Sequence, residues 1–128
     1  MNFHECVRIA YRDFPNRSTD SWLHWSFILQ RGKIIEWGIN RQGEPSALYK
    51  AGYKTGRHSI HAEAVALSKA MGKMDKRKPW TLVNIRLNAL KELTMSAPCP
   101  LCTSFIRSCG CHQIFYSDPY GRFVKLMK

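Results

Sequence analysis

The stretches His61-Ala62-Glu63 and Pro98-Cys99-Pro100-Leu101-Cys102 decide how this sequence folds. Together they supply one imidazole and two thiols, which are common zinc ligands, and one carboxylate that is not needed as a ligand. A structural zinc site is closed by four protein ligands, whereas a catalytic site leaves the fourth position to water. Three strong ligands with a glutamate close to the histidine therefore favour a catalytic zinc site.

Each half of this pattern also has another interpretation. A Cys-x-x-Cys pair occurs in thioredoxin-like redox motifs, but the prolines at positions 98 and 100 and the upstream histidine favour metal binding. A zinc ion that only stabilises the fold, beside a glutamate that merely starts a helix, is the second alternative. The order of the two halves, with the cysteines at the start of a predicted helix, favours catalysis over a structural role.

Helix geometry limits where His61 and Glu63 can lie. Two positions correspond to about 200° around a helix axis, so both side chains can reach one centre only at the start of a helix. Ser59 is a good N-cap residue and predicts that such a helix covers residues 60–71.

The two cysteines are expected at the start of a second helix. Cys99 and Cys102 are three positions apart, which makes them neighbours on the first turn of a helix predicted over residues 99–109. Two helix N-termini would then meet at one zinc ion, and their dipoles would help to hold the thiolates.

The remaining segments alternate between helix and strand patterns. A first helix is predicted over residues 3–14 and is ended by Pro15. Aromatic and β-branched runs predict strands over residues 22–30, 33–39, 81–87, 113–117 and 122–127, the last one antiparallel. The first two strands form a hairpin around Arg31-Gly32, and a long loop covers residues 41–59. This order predicts one α/β domain over residues 1–128, with a mixed sheet covered by helices.

The charge of the chain is strongly positive. Twenty basic and nine acidic residues give a net charge of +11, and the sequence pI is about 9.8. Such a surface attracts phosphates, whether on nucleotides or on nucleic acids. A basic surface that only aids solubility is the alternative, and charge alone does not separate the two.

Five cysteines and the absence of long apolar runs bear on the compartment. No run approaches the roughly 20 apolar residues that span a bilayer, and the N-terminal segment lacks the pattern of a secretory signal. An odd number of cysteines indicates reduced thiols rather than a disulfide framework. We therefore expect a soluble cytoplasmic protein that does not enter a membrane. Cys109 and Cys111 are either extra ligands or, as we expect, buried apolar residues.

With these motifs the chain resembles the cytidine and deoxycytidylate deaminase superfamily over roughly residues 22–120. The resemblance implies a three-layer α/β/α cytidine-deaminase-like fold around a mixed five-stranded sheet. It also implies a Zn²⁺ cofactor held by three metal ligands, with a glutamate as the catalytic proton shuttle. The metal ligands would be His61, Cys99 and Cys102, and the shuttle would be Glu63.

The resemblance extends to two substrate contacts. Gly38-Ile39-Asn40 looks like the Gly-x-Asn segment of the family, which implies that Asn40 touches the sugar or the base. An asparagine that only forms a turn is the alternative. Ala62 would offer its backbone N–H to the base. One departure is Ala97, which stands where many relatives carry glutamate, and another is that the sequence ends without the C-terminal helices of the tRNA and DNA enzymes.

The substrate expected first is cytosine in a nucleoside or nucleotide, most of all deoxycytidylate, which would be hydrolysed to deoxyuridylate. Zinc lowers the pKa of bound water to about 7, so zinc-bound hydroxide would be the nucleophile and Glu63 would carry the proton. Basic residues of the long loop region could hold the phosphate. They are Arg41, Lys50, Lys54 and Arg57.

Two other functions remain open. The first is deamination of cytosine or adenine in single-stranded DNA or RNA, including tRNA, with unpaired bases stacked on aromatic residues. The candidate aromatic residues are Trp37, Tyr49, Tyr53, Tyr120 and Phe123. The second is a zinc-stabilised binding module without turnover. A homo-oligomer is also possible, since Trp22, Trp25 and Trp37 would serve an interface as well as a core.

Overall fold

The computed structural model describes residues 2–16, 23–42, 59–75 and 77–126, and for residues 16, 41, 42, 59 and 60 it describes the backbone alone. In these ranges the chain forms three α-helices: α1 over Phe3–Asp13, α2 over Ala62–Ala70 and α3 over Pro100–Ser108. Helix α1 passes into a 3₁₀ turn over Phe14–Asn16 that contains Pro15, so the predicted end of the first helix is confirmed.

Eight strands are found in the same described ranges. They are β1 Leu23–Gln30, β2 Lys33–Ile39, β3 Arg41–Gln42, β4 Ser59–Ile60, β5 Thr81–Leu87, β6 Leu93–Thr94, β7 Gln113–Ser117 and β8 Phe123–Lys125. The main sheet has the order β2-β1-β5-β7-β8, with β6 paired to β5, while β3 and β4 form a separate two-stranded sheet. Strands β5 and β7 are parallel and the other neighbours are antiparallel, which confirms the predicted mixed sheet.

Three layers follow from the alternation of side chains along the strands. Trp25, Phe27 and Leu29 belong to the core on the side of α1, whereas Ile28 belongs to the core formed with α2 and α3. The parallel pair β5 and β7 requires a crossover, and α3 supplies it. The expected α/β/α fold with a mixed five-stranded path is confirmed.

Gly38 shows how closely α2 approaches the sheet. A Cβ atom at this position of β2 would lie 2.5 Å from the backbone nitrogen of Ala66 and 2.8 Å from a methyl carbon of Val65. Only glycine leaves room for this approach, because real Cβ atoms do not come that near to backbone. Gly38, the first residue of the predicted Gly-x-Asn segment, therefore allows α2 to pack closely on β2.

Two tryptophans weighed for an interface are explained by packing. Trp25 is completely buried, and its indole N–H donates to Asp13 of α1 at 2.9 Å. Trp37 is half-buried beside Phe27 and beneath Lys69. Trp22 lies outside the described residues.

Some predictions change at the ends of elements and on the surface. The predicted loop over residues 41–59 is paired at its two ends, because Arg41 lies opposite Ile60 in the two-stranded sheet of β3 and β4. The expectation that Cys109 is buried is wrong, because it follows α3 on the surface, while Cys111 is half-buried. No described helix has the length and apolar character that crossing a bilayer would require.

Candidate active site

The start of α2 places His61 and Glu63 on either side of the helix boundary. His61 is the N-cap residue with extended backbone angles, and Glu63 lies in the first turn with 3% of its surface exposed. The prediction that Ser59 caps this helix is wrong. Ser59 lies in β4, opposite Gln42, and this pairing keeps the backbone extended until His61.

The start of α3 is built on the same plan, with a metal-binding residue type at the N-cap. Cys99 is the N-cap residue, and its sulfur accepts a hydrogen bond from the backbone N–H of Cys102 at 3.4 Å. Pro100 follows as the first helical residue, where a backbone N–H is not needed. The Thr103 hydroxyl donates to the carbonyl oxygen of Cys99 at 3.0 Å, which further fixes this turn.

The two helix starts bring one imidazole and two thiols together. His61 Nδ1 lies 2.9 Å from the sulfur of Cys102 and 3.9 Å from the sulfur of Cys99. All three candidate ligand atoms lie within 4.8 Å of one another, which no other three His, Cys, Asp or Glu side chains achieve in the part of the chain that the structure describes. Ligand atoms around a tetrahedral zinc are separated by about 3.5–3.8 Å. The donor set fits this ion and the 3.9 Å separation is close to that spacing, while His61 and Cys102, at 2.9 Å, would move apart on binding it.

The electrostatics of the thiols are those of a pair that shares one proton. Hydrogen bonds from Cys102 and His61 hold the pKa of the Cys99 thiol well below its usual range. The pKa of Cys102 is raised, because it donates to Cys99 and because it is buried. Cys99 is therefore ready to act as a thiolate, and a divalent metal would displace the remaining proton of Cys102.

Glu63 is a buried carboxyl beside these ligands. Burial raises the pKa of this side chain above its ordinary value, while the nearby His61 acts in the opposite direction. The Ser26 hydroxyl of β1 lies 3.4 Å from Glu63 Oε1. A carboxyl with a raised pKa beside a candidate metal centre has the properties of a group that accepts and returns a proton.

The two predicted substrate contacts lie at the ends of elements near this centre. Asn40 follows β2, and its Oδ1 accepts a hydrogen bond from the backbone N–H of His24 at 3.1 Å. The Asn40 side chain therefore links the end of β2 to the start of β1. Ala62 is completely buried as the first residue of α2. The first N–H groups of a helix have no intrahelical partner, and Ala62 therefore lies where a ligand atom could accept a hydrogen bond.

The predicted phosphate-binding and stacking residues are only partly covered by the structure. Lys50, Lys54, Arg57, Tyr49 and Tyr53 lie outside the described residues, as does the side chain of Arg41. Phe123 is half-buried and stacks on Phe3 of α1, so it packs within the fold. Tyr120 is 81% exposed in the turn after β7, with the guanidinium of Arg122 over its ring.

Sequence analysis missed two polar residues next to the site, Ser26 of β1 and Asn84 of β5. Both are buried, and each stands in a strand whose neighbouring residues are apolar. That interruption of an apolar run was the available signal. The sequence did not show that these two residues are partners, because the register that places Ser26 opposite Asn84 is a property of the folded sheet.

The fold and the site together define a class of proteins. A mixed sheet between helices, with one histidine and two cysteines at two helix starts and a glutamate beside them, is the arrangement of zinc-dependent deaminases. The model of the family described as "Cytidine and deoxycytidylate deaminase zinc-binding region" matches residues 25–118. The chain belongs to this family.

Solved structures agree with this assignment at the level of the fold. The chain is similar to dCMP deaminase from the cyanophage S-TIM5 in complex with dCMP and dUMP, with a TM-score of 0.60, 20% identity, and coverage of 91% of this chain and 81% of that chain. For the apo form of that enzyme the TM-score is 0.51 at 20% identity, with coverage of 75% of this chain and 66% of that chain. No curated protein sequence matches the chain.

Proposed function

We propose that this protein is a zinc-dependent hydrolase that deaminates the cytosine of a nucleotide, with deoxycytidylate as the substrate and deoxyuridylate and ammonia as the products. The observation that carries the proposal is the meeting of His61, Cys99 and Cys102 within 4.8 Å, with the buried Glu63 two residues after the histidine. The similar cyanophage enzyme, whose structure contains dCMP and dUMP, supports a cytosine nucleotide as the substrate.

Each residue of the site has a distinct role in this proposal. His61, Cys99 and Cys102 hold the ion, which when bound supplies a Lewis acid that makes water a nucleophile at neutral pH. Glu63 takes a proton from the attacking water, gives it to the ring nitrogen of cytosine, and later assists the departure of ammonia. Burial of Glu63 supports this role, because it raises the pKa of the carboxyl towards the working range of a proton shuttle.

The substrate is held by neighbouring backbone and side-chain groups. Ala62 offers its backbone N–H to the base at the start of α2, and Asn40 contacts the sugar or the base from the end of β2. The dipole of α2 and the net charge of +11 favour an anionic substrate at this place.

A second candidate is deamination of a base in single-stranded nucleic acid. The observation in its favour is the pair of Tyr120 and Arg122, an exposed aromatic ring with a guanidinium at 5.3 Å from its centroid, on a chain of high positive charge. Exposed aromatic rings beside cations stack unpaired bases. The salt dependence of substrate affinity distinguishes the two candidate functions. Affinity for a nucleic-acid polymer falls steeply as the salt concentration rises, whereas affinity for a nucleotide falls weakly.

The test is ammonia release by the zinc-loaded protein from a panel of nucleosides, nucleotides and single-stranded oligonucleotides. We expect turnover of deoxycytidylate at low and moderate salt. If free nucleotides are the only substrates of the enzyme, Tyr120→Ala should leave the rate of this turnover unchanged within about twofold. Release from oligonucleotides alone, lost in Tyr120→Ala, would establish the second candidate. Full zinc occupancy without ammonia from any substrate would instead indicate a zinc-stabilised binding module.

A further inference from the structure

A set of buried polar side chains joins Glu63 to the chain segment that leads to Cys99. The Ser26 hydroxyl lies 3.4 Å from Glu63 Oε1 and 2.6 Å from Asn84 Oδ1. Asn84 Nδ2 donates to the carbonyl oxygen of Ser96 at 3.1 Å, and the Ser96 hydroxyl donates to the carbonyl oxygen of Asn84 at 2.8 Å. We call Ser26, Asn84 and Ser96 the polar connection, and none of the three is more than 1% exposed.

The polar connection occupies a place where apolar residues would pack as well. Ser26 and Asn84 lie directly opposite each other on β1 and β5. One step along the same face, Ile28 lies opposite Leu82, and this pair belongs to the apolar core under α2 and α3. Polar groups are costly to bury unless they are hydrogen-bonded, so packing alone does not account for a serine and an asparagine here. Their identity points to the group that Ser26 contacts, which is Glu63.

The hydrogen bonds of Asn84 fix the orientation of its amide. The bond from Nδ2 to Ser96 requires that Oδ1 face Ser26, and the short contact there holds the Ser26 hydroxyl in place. The single hydroxyl proton of Ser26 is directed to two acceptors, Asn84 Oδ1 at 2.6 Å and Glu63 Oε1 at 3.4 Å, so Ser26 links the Glu63 carboxyl to a rigid central strand. The glutamate side chain has three rotatable bonds, and this contact limits where its carboxyl can lie.

The same set of bonds reaches the other half of the site. Ser96 is three residues before Cys99, and it is held by Asn84 on one side and by Ser117 of β7 on the other. Asn84 therefore connects both halves of the site to one strand, β5. On one side it binds Ser26, which contacts the Glu63 carboxyl, and on the other side it binds Ser96, which precedes Cys99.

We propose that Ser26 and Asn84 are positioning residues for the deamination. Ser26 fixes the carboxyl of Glu63, and Asn84 fixes Ser26 relative to Ser96 and thereby to the segment before Cys99. This inference rests on the proposed function, in which Glu63 must lie within reach of the attacking water and of the base. A displacement of about 1 Å in such a group lowers turnover strongly while substrate binding is little changed.

The test compares serine variants in steady-state kinetics with deoxycytidylate. Ser26→Ala should lower kcat by about tenfold and change KM by less than about twofold, with zinc content unchanged. Ser26→Thr restores a hydroxyl and should recover most of kcat. The matched control is Gln30→Met on the same strand, which removes a buried polar side chain whose hydrogen bonds go to the carbonyl oxygens of Asp75 and Lys78, away from the polar connection. It should lower Tm but leave kcat within about twofold of the wild type.

Unchanged kcat in Ser26→Ala, or an equal loss in Gln30→Met, would overturn the inference and leave the proposed function in place. Absence of turnover in the wild-type protein would overturn the proposed function itself. A second readout needs no turnover: the Tm shifts of Ser26→Ala and Glu63→Gln should be non-additive in the double variant, because the two side chains are in contact. Additive shifts would show that the contact is not formed, even where Ser26→Thr does not fold.

Discussion

Two glutamates, one near each end of α2, lie in opposite environments. Glu63 at the N-terminal end is buried, and burial raises the pKa of its carboxyl. Glu36 of β2 lies against the C-terminal end, where the hydrogen bond from Lys73 holds the pKa of its carboxyl below the ordinary value. A paired carboxylate stabilises a fold. A buried carboxyl with a raised pKa lowers the stability of the fold, and such groups are typical of sites that carry out a reaction. In the proposed function, the N-terminal end of α2 carries the reaction, while the C-terminal end contributes to stability.

The largest effect is expected when this comparison is tested at Glu63 itself. Glu63→Gln keeps the shape of the side chain but removes the proton carrier, so kcat should fall by about 10³-fold or more. Zinc content should be unchanged, and Tm should rise, because a costly buried acid is replaced by a neutral amide. Glu36→Gln is the matched control: it should retain kcat and lose a little stability. Equal kcat in the two variants would remove the distinction between the ends of α2.

Removal of zinc should weaken the N-terminal end of α2 more than the C-terminal end. A chelator should lower Tm of the wild-type protein, because a ligand at about 1,000 times its Kd contributes about 4 kcal/mol to the stability of the folded state. Cys102→Ser should bind zinc poorly, and the chelator should then have little effect. Cys109→Ser, on the surface and outside the cluster, should behave as the wild type. Amide hydrogen exchange would show whether protection is lost first near His61.

The C-terminal half of α2 is expected to govern stability without governing turnover. Leu67 is 2% exposed and packs in the core between α2, α3 and the sheet. Leu67→Ala should lower the free energy of unfolding by about 2–4 kcal/mol, through lost burial and the cavity that remains. The measurement is urea unfolding, together with kcat per folded molecule, which should change by less than about twofold. A large fall in kcat with an intact fold would contradict the division.

Much of the fold and of the site was open to prediction from the sequence. Helices and strands were predicted from local periodicity, and the spacing of His61, Cys99 and Cys102 predicted that two helix starts would meet. The N-cap of α2 was not predicted correctly. Ser59 is a good N-cap by local preference, but its pairing with Gln42 is a contact across a long segment, and this tertiary pairing overrides the local preference.

Other features depended on register and exposure, which local patterns do not contain. Ser26 and Asn84 are both visible as polar residues in apolar strands, yet that they meet, and that they meet at Glu63, depends on the pairing of β1 with β5. Cys109 was expected inside because cysteine is commonly buried, but it lies just past the last turn of α3. Patterns in the sequence thus predicted the candidate reacting groups but not the buried polar residues beside them.

The smallest effect is expected at the ion pairs beside the C-terminal end of α2. Lys73 Nζ lies 2.5 Å and Lys69 Nζ 3.3 Å from the carboxyl oxygens of Glu36, and both lysines are about half exposed. Because the pKa of Glu36 is lowered in the folded state, its contribution to stability is present above the ordinary glutamate pKa of about 4.3 and is lost as pH falls through the folded value. Lys73→Met should therefore cost less than about 1 kcal/mol near neutral pH and still less in acid. Urea unfolding at about pH 7 and at about pH 2.5, below the window in which Glu36 becomes protonated, checks this, and an equal cost at both pH values would show that the ion pair does not contribute.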